Sequence, residues 1–320
     1  MYLLSVKLES MNSNPNIVFM GTPEFAVASL HALLENGFRV AAVVTAPDKP
    51  AGRGLKLSES AVKRYAIQKS IPVLQPVKLK DPAFQEQLKS FQPDVQIVVA
   101  FRMLPEAVWS MPPLGTINLH GSLLPQYRGA APINRAIMNG ESKTGVTTFK
   151  LQQEIDTGNI LLMEEISIGP DETAGELHDR MKEIGAGLVI KTIRGLIDGT
   201  LREKPQATVD QGDLKMAPKI FASDCEINWE DPVQKIYNQI RGLSPFPSAF
   251  TFLDSKICKI FRSRMTLNNQ AGITGKMETD GKTWLRYSAS NGYIYIEEMQ
   301  LEGKKKMGIA DFLRGYRFNA

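Results

Sequence analysis

Asn16-Ile-Val-Phe-Met-Gly-Thr-Pro-Glu-Phe25 decides the fold class of this chain. An apolar run closing on Gly21 reads as a strand covered on both faces, the kind found inside a parallel sheet. Thr22 and Pro23 then read as an N-cap and a first-turn proline, predicting a helix to about Glu35 that stops at Asn36-Gly37. Phe38 to Thr45 is a second apolar, β-branched run. The β-α-β order implies parallel strands joined by a right-handed crossover, and so an α/β architecture.

Working outward, Asp94 to Phe101 is a further apolar strand. Gly115-Thr-Ile-Asn-Leu-His120 alternates, so that Ile117 and Leu119 face one way and Asn118 and His120 the other. Thr144 to Leu151 and Asn159 to Ile168 follow as strands. Thr173 with Glu176 forms a capping box for a long helix reaching about Gly199. Between the second strand and the next helix, Ala46-Pro-Asp-Lys-Pro-Ala-Gly-Arg-Gly-Leu-Lys56 carries two prolines, two glycines and three basic residues and reads as a long exposed loop. Past residue 218 come one helix, Val233 to Ile240, and short strands at Ala249–Leu253, Lys256–Arg262, Gly272–Met277, Thr283–Tyr287 and Tyr293–Met299. That spacing predicts a small β-barrel of the OB type. The expected organisation is a disordered leader over 1–14, a catalytic α/β domain over 15–200, a polar linker over 201–218 and the barrel over 219–320.

A hydrophobic share of 43% with 22% charged residues is that of an ordinary soluble globular protein, and no apolar run approaches the roughly 20 residues of a membrane span. The first ten residues lack the basic and small-residue features of a signal peptide. Cys225 and Cys258 show no metal or redox spacing, which suits a reducing cytoplasm. The net charge is +4, and all of it falls after residue 200, so a polyanionic partner for the second half is one reading and a solvated lysine-rich face the other. The turn after the first strand is not Gly-x-Gly-x-x-Gly, which argues against a dinucleotide. No Gly-x-x-x-x-Gly-Lys-[Ser/Thr] loop occurs for ATP, and zinc lacks a ligand set.

The chain has three histidines. His31 and His178 fall inside helical patterns and read as structural. His120 shares its strand face with Asn118, and an acidic turn, Asp156-Thr-Gly158, can lie beside it. An Asn, a His and an Asp without an evident nucleophilic Ser or Cys suit acyl transfer in which the substrate brings the nucleophile. The histidine would manage protons, the carboxamide would stabilise a developing oxyanion, and the aspartate would orient the imidazole. A histidine before a glycine at a strand end can equally be structural.

Asn118-x-His120, Ser122-Leu-Leu-Pro-Gln-Tyr-Arg-Gly-Ala-Ala-Pro-Ile133 and Asp156-Thr-Gly158 together resemble the signature of the folate-dependent formyltransferases. Phe19-Met-Gly-Thr-Pro-Glu-Phe25 and Pro47-Asp-Lys-Pro-Ala-Gly-Arg-Gly54 resemble the branch of that family acting on charged initiator tRNA. The likeness continues through Met216-Ala-Pro-Lys219, Ile227-Asn-Trp229, Arg241-Gly-Leu-Ser-Pro-Phe-Pro247 and Lys306 to Arg317. It implies a Rossmann-like, largely parallel sheet with a second, OB-like domain. It further implies transfer of the formyl group of 10-formyltetrahydrofolate to the α-amine of methionine on initiator tRNA, for translation initiation, by a cytoplasmic monomer without a metal. By the same resemblance Asn118, His120 and Asp156 are catalytic, with Asp156 holding the useful tautomer of His120. Ser122, Leu123, Leu124 and Pro125 border the folate, and Arg53, Lys49 and Lys56 meet the tRNA. Val99 to Pro105 departs from the family pattern, being one residue shorter and carrying Arg102. A small-amine acceptor, a formate-releasing hydrolase and a non-catalytic RNA-binding scaffold are the competing readings. The loop and the basic C-terminal half speak against the first, and the intact Asn/His/Asp set against the last.

Overall fold

A computed structural model describes residues 14–51, 56–206, 214–268 and 272–318. The expected leader lies outside them except for Asn14, which is tied down: its carboxamide donates to Gly37 O at 2.8 Å and accepts from Arg39 N at 3.1 Å. Arg53, the side chain of Lys56 and residues 207–213 of the expected linker also lie outside the described residues. The chain forms two compact units. The first comprises residues up to 128, 145–166 and 179–215, and the second 129–144, 167–178 and 216 onward.

The first unit is built on a seven-stranded sheet. Its strands are β1 (Ile17–Gly21), β2 (Val40–Val44), β5 (Val73–Leu74), β6 (Val95–Val99), β7 (Thr116–His120), β9 (Lys143–Lys150) and β10 (Ile160–Ser167), in the spatial order β10-β9-β7-β6-β1-β2-β5. Neighbours from β7 to β5 run parallel, and β9 is antiparallel to β7. Every residue of β1 is buried, because strands flank it and helices cover the sheet. The first helix, α1, spans Glu24–Glu35, and Pro23 stands at its N-cap rather than inside its first turn, with no side-chain cap. Helix α2 (Ala61–Gln68) is capped by Ser60, whose hydroxyl accepts from Lys63 N at 3.0 Å. The stretch from Ala46 to Lys56, expected as a loop, contains a hairpin, β3 (Lys49–Ala51) with β4 (Lys56–Ser58). Its base is anchored through Asp48, which accepts from Gln75 Nε2 at 2.8 Å and is ion-paired to Lys63.

Two features position β7. Leu119 packs against Gly185 of the long helix α6 (Ala174–Ile197), the fifth helix, α5, spanning Pro132–Met138. Thr148, opposite Leu119 on β9, meets Thr192 of α6 hydroxyl to hydroxyl at 2.7 Å. With Leu119 turned toward α6, alternation turns Asn118 and His120 to the other face.

The second unit is an antiparallel sheet in the order β12-β13-β16-β15-β14, with β17 added on β16. Its strands are β12 (Ala249–Leu253), β13 (Lys256–Leu267), β14 (Met277–Thr279), β15 (Leu285–Ala289), β16 (Gly292–Leu301) and β17 (Met307–Gly308), and the two-residue strands β8 (Arg128–Gly129) and β11 (Met216–Ala217) lie outside both sheets. Helix α7 (Val233–Leu243) lays Ile236, Ile240 and Leu243 into a core with Ile260, Ile294 and Ile296, a spacing of three and four residues that puts one stripe inward. Gly272–Met277, expected as a strand, is not one: Gly272 and Gly275 take φ of +80° and +74°, turn conformations that a pleated strand cannot hold. Pairing begins only at Met277.

Candidate active site

The site is assembled at the end of β7, within the first unit. Asn118 is half-buried, and among the described residues no hydrogen bond uses its carboxamide. A strand residue with a spare amide is unusual, because half-buried polar groups are normally paired. His120, 6% exposed, is held on both sides of its ring. Nε2 lies 2.9 Å from the carbonyl oxygen of Tyr127, and Nδ1 lies 3.8 Å from Asp156 Oδ2. A carbonyl oxygen only accepts, so Nε2 carries a hydrogen. The imidazole can therefore gain or lose a proton only at Nδ1, beside the carboxylate. The hydrogen on Nε2 is thus fixed by a backbone group, on the side of the ring opposite Asp156.

Tyr127 and Asp156 both adopt the left-handed conformation, with φ of +60° and +55°. Side chains at such angles cost about 1–3 kcal/mol and persist only where the surroundings hold them. Here the two strained residues are those that present groups to the two nitrogens of one histidine. Gly158 closes the acidic turn, and a Cβ there would stand 1.7 Å from Lys150 O, so the turn seats against β9 only with glycine at that position.

The loop after β7 is pinned from β9. Thr147, opposite His120 in the ladder, donates its hydroxyl to Ser122 O at 2.6 Å and accepts from Leu124 N at 3.3 Å. Ser122 is fully buried and donates to Gln126 O at 2.6 Å; Leu124 is buried as well. Leu123 and Pro125 are half-buried, and Leu123 packs over Gly145. Of the four residues expected beside the folate, two hold the loop from within and two retain exposed surface. Arg102 is used locally: its guanidinium donates to Val77 O at 2.9 Å and to Pro76 O, and burial lowers its pKa. Lys49 is exposed on β3.

Two partners in this site were not foreseen. The Tyr127 carbonyl carries no residue identity, so no sequence motif signals it. Gln206 lies in the stretch read as a linker, yet its carboxamide contacts the Asp156 turn. His31, read as structural, meets Tyr65 Oη at 2.7 Å from the neighbouring helix.

Neither cysteine suits nucleophilic catalysis. Both are free and buried, and burial raises the Cys225 thiol and pushes that of Cys258 up to about 12, which disfavours the thiolate. Among the described residues, no group of three or more His, Cys, Asp or Glu side chains could hold a metal ion. No helix is long and apolar enough to cross a membrane, again among the described residues. A cavity of about 210 Å³ lies in the second unit, lined by Asp171, Tyr237, Arg241, Arg262 and Ser263 among others, and it shares no residue with the Asn118–His120 site.

Residues 15–193 match the family described as "Formyl transferase", and residues 219–317 match "Formyl transferase, C-terminal domain". The chain is 49% identical over 309 residues to a methionyl-tRNA formyltransferase of Parabacteroides distasonis, covering 94% of this chain and 95% of that protein. It is 47% identical over 311 residues to one of Bacteroides thetaiotaomicron, covering 95% and 96%. Among solved structures, a sugar 3N-formyl transferase crystallised with dTDP and 5-N-formyl-THF superposes with a TM-score of 0.65 at 21% identity, over 92% of this chain and 100% of that one. HypX of Aquifex aeolicus in complex with tetrahydrofolic acid superposes with a TM-score of 0.65 at 17% identity, over 96% of this chain and 49% of that one. At those identities the superpositions establish a shared fold.

Proposed function

The chain belongs to the formyl transferase family, and we propose that within it the protein moves the formyl group of 10-formyltetrahydrofolate onto the α-amine of methionine on initiator tRNA. Near-half identity over almost the whole length of relatives that bear that name supports the acceptor. The observation carrying the chemistry is the pairing of an unused carboxamide at Asn118 with a histidine whose only open proton site faces a carboxylate.

The residues at the strand end fit such a co-substrate. Leu123 and Pro125 offer apolar surface beside polar Asn118, as a flat heteroaromatic group with a carbonyl-bearing arm requires. The folate supplies the formyl group. Asn118 Nδ2 donates to the formyl oxygen as negative charge builds there during attack by the amine. His120 takes a proton from the attacking amine at Nδ1 and returns it to the nitrogen that leaves the formyl carbon, while Tyr127 O keeps Nε2 protonated and the ring in place. Asp156 balances the charge that the imidazole acquires and holds its plane. Arg53, Lys49 and Lys56 contact tRNA phosphates from the β3–β4 hairpin, where flanking glycines let Arg53 approach closely. In the second unit, the exposed Lys256, Lys304 and Lys305 also meet phosphates. The enzyme acts as a monomer in the cytoplasm, where its two thiols stay reduced.

The test is to incubate the protein with labelled 10-formyltetrahydrofolate and, in separate arms, methionine-charged initiator tRNA, methionine-charged elongator tRNA and a nucleotide-linked amino sugar. Label is expected in the initiator tRNA, in acid-stable linkage to methionine. Label in the sugar alone, or only as free formate, would overturn the reading.

A further inference from the structure

The two groups that flank His120 come from different segments, Tyr127 from the loop after β7 and Asp156 from the turn after β9. The side chain of Gln206 joins those segments. Arg128, next to Tyr127, donates from Nε at 3.1 Å and Nη2 at 2.5 Å to Gln206 Oε1. Gln206 Nε2 in turn donates to Asp156 O at 2.7 Å and Gly158 O at 2.9 Å. The amide orientation is unambiguous, because a guanidinium only donates and a carbonyl oxygen only accepts. All four hydrogen-bonding capacities of the carboxamide are therefore used, two toward each segment.

Other residue types cannot reproduce this bridge. Glutamate would accept from Arg128 but present an acceptor to two carbonyls; lysine would serve the carbonyls but repel the guanidinium; asparagine is one methylene short. Building on the proposed pairing of His120 with Asp156, we propose that Gln206 is a positioning residue for formyl transfer. By clamping the carbonyls of Asp156 and Gly158 to the Tyr127–Arg128 segment, it holds the strained Asp156 backbone and so sets the carboxylate against Nδ1. It touches no reacting atom. Misplacement of a supporting group by a fraction of an ångström costs rate rather than affinity, because the geometry matters most in the transition state.

The experiment compares Gln206→Ala, Gln206→Glu and Asp156→Asn singly, and Gln206→Ala combined with Asp156→Asn, reading kcat and KM for charged tRNA and the pH dependence of kcat. Glutamate is nearly isosteric and keeps a charge-assisted bond to Arg128, so it reports on the proposal even in the event that alanine loosens the fold. For both Gln206 variants the expected result is a fall of tenfold or more in kcat with KM for tRNA within twofold, and an altered pH profile of kcat. The double variant should be little slower than Asp156→Asn alone, since both changes act on one carboxylate. Full kcat in Gln206→Glu would overturn the proposal, reducing Gln206 to a packing role through Arg128, and so would multiplicative losses in the double variant. If Asp156→Asn itself kept full kcat, the underlying histidine–aspartate reading would fail instead, which separates the two outcomes.

Discussion

His120 and Arg241 are buried alike, at 6% and 7% exposure, one in each unit, and their polar atoms are treated in opposite ways. The guanidinium of Arg241 is committed: Nε donates to Asn238 Oδ1 at 2.9 Å, and Nη1 to Glu172 O at 3.2 Å and Gly169 O at 3.5 Å. One helical turn before it, Tyr237 donates to Asp171 at 2.7 Å, and burial together with that carboxylate raises its hydroxyl pKa well above the ordinary value. Around His120 the commitments stop halfway. One ring nitrogen is bonded, the other faces a carboxylate at 3.8 Å, and among the described residues no hydrogen bond uses the carboxamide of Asn118. A saturated polar network specifies a fold, whereas capacity left open in a buried place is held for something that arrives later.

That difference can be broken experimentally. Substitution at the open site should remove activity and leave stability alone. Asn118→Ala, His120→Ala and Asp156→Asn are each expected to lower kcat/KM for charged tRNA by about 10² to 10³, and Asn118→Ala should shift the unfolding midpoint by no more than the ~0.5 kcal/mol typical of a change that breaks no internal contact. Steady-state formylation and thermal unfolding on the same preparation check both halves. Substitution at the committed site should do the reverse. Arg241→Met takes a donor from three acceptors, of which Asn238 Oδ1 keeps Gln234 Nε2 and Gly169 O keeps Glu172 N, and is expected to cost about 1–3 kcal/mol, read as a lowered denaturant midpoint, while kcat of the folded fraction stays within twofold.

Smaller effects sharpen the contrast. By the tRNA-binding reading Arg53→Ala should raise KM for tRNA about tenfold and flatten its salt dependence by roughly one phosphate contact; an unchanged salt slope would argue against the hairpin as a phosphate contact. Smallest is Glu176→Gln at the start of α6. The backbone N–H of Thr173, foremost, and then the bonds from the Thr173 hydroxyl and Arg262, hold the Glu176 carboxyl below its ordinary value of 4.5. A depressed carboxylate stabilises the fold fully above that value and loses its contribution as pH falls below it. The side chain is 48% exposed, so the effect is screened. The variant should lower stability slightly at pH 7, and the gap should close on acidification below about pH 4 in unfolding curves followed by circular dichroism.

The legibility of the molecule follows the range of the interactions. The helix start at Thr173 could be read because a cap is a bond between residues three apart, Glu176 N to Thr173 Oγ1 at 3.3 Å. The shared face of Asn118 and His120 follows from a period of two. The strand expected at Gly272–Met277 failed because apolar residues there sit among glycines whose positive φ serves a turn. The hairpin at Lys49–Ser58 was obscured by its loop-like composition, Pro50 standing inside β3 opposite Leu57.

By itself the sequence determined the α/β class, the family, and the two side chains at the end of β7, because strand alternation and local motifs are encoded within a few residues. Tertiary structure alone decided how those side chains are equipped. It brought Asp156 to one nitrogen of His120, set a backbone carbonyl from Tyr127 against the other, left Asn118 unpaired, and drew Gln206 out of an apparent linker to bridge the two flanks. These are encounters between segments far apart in the chain, and a carbonyl oxygen is the same in every residue, so no pattern of side chains along the sequence could have announced them.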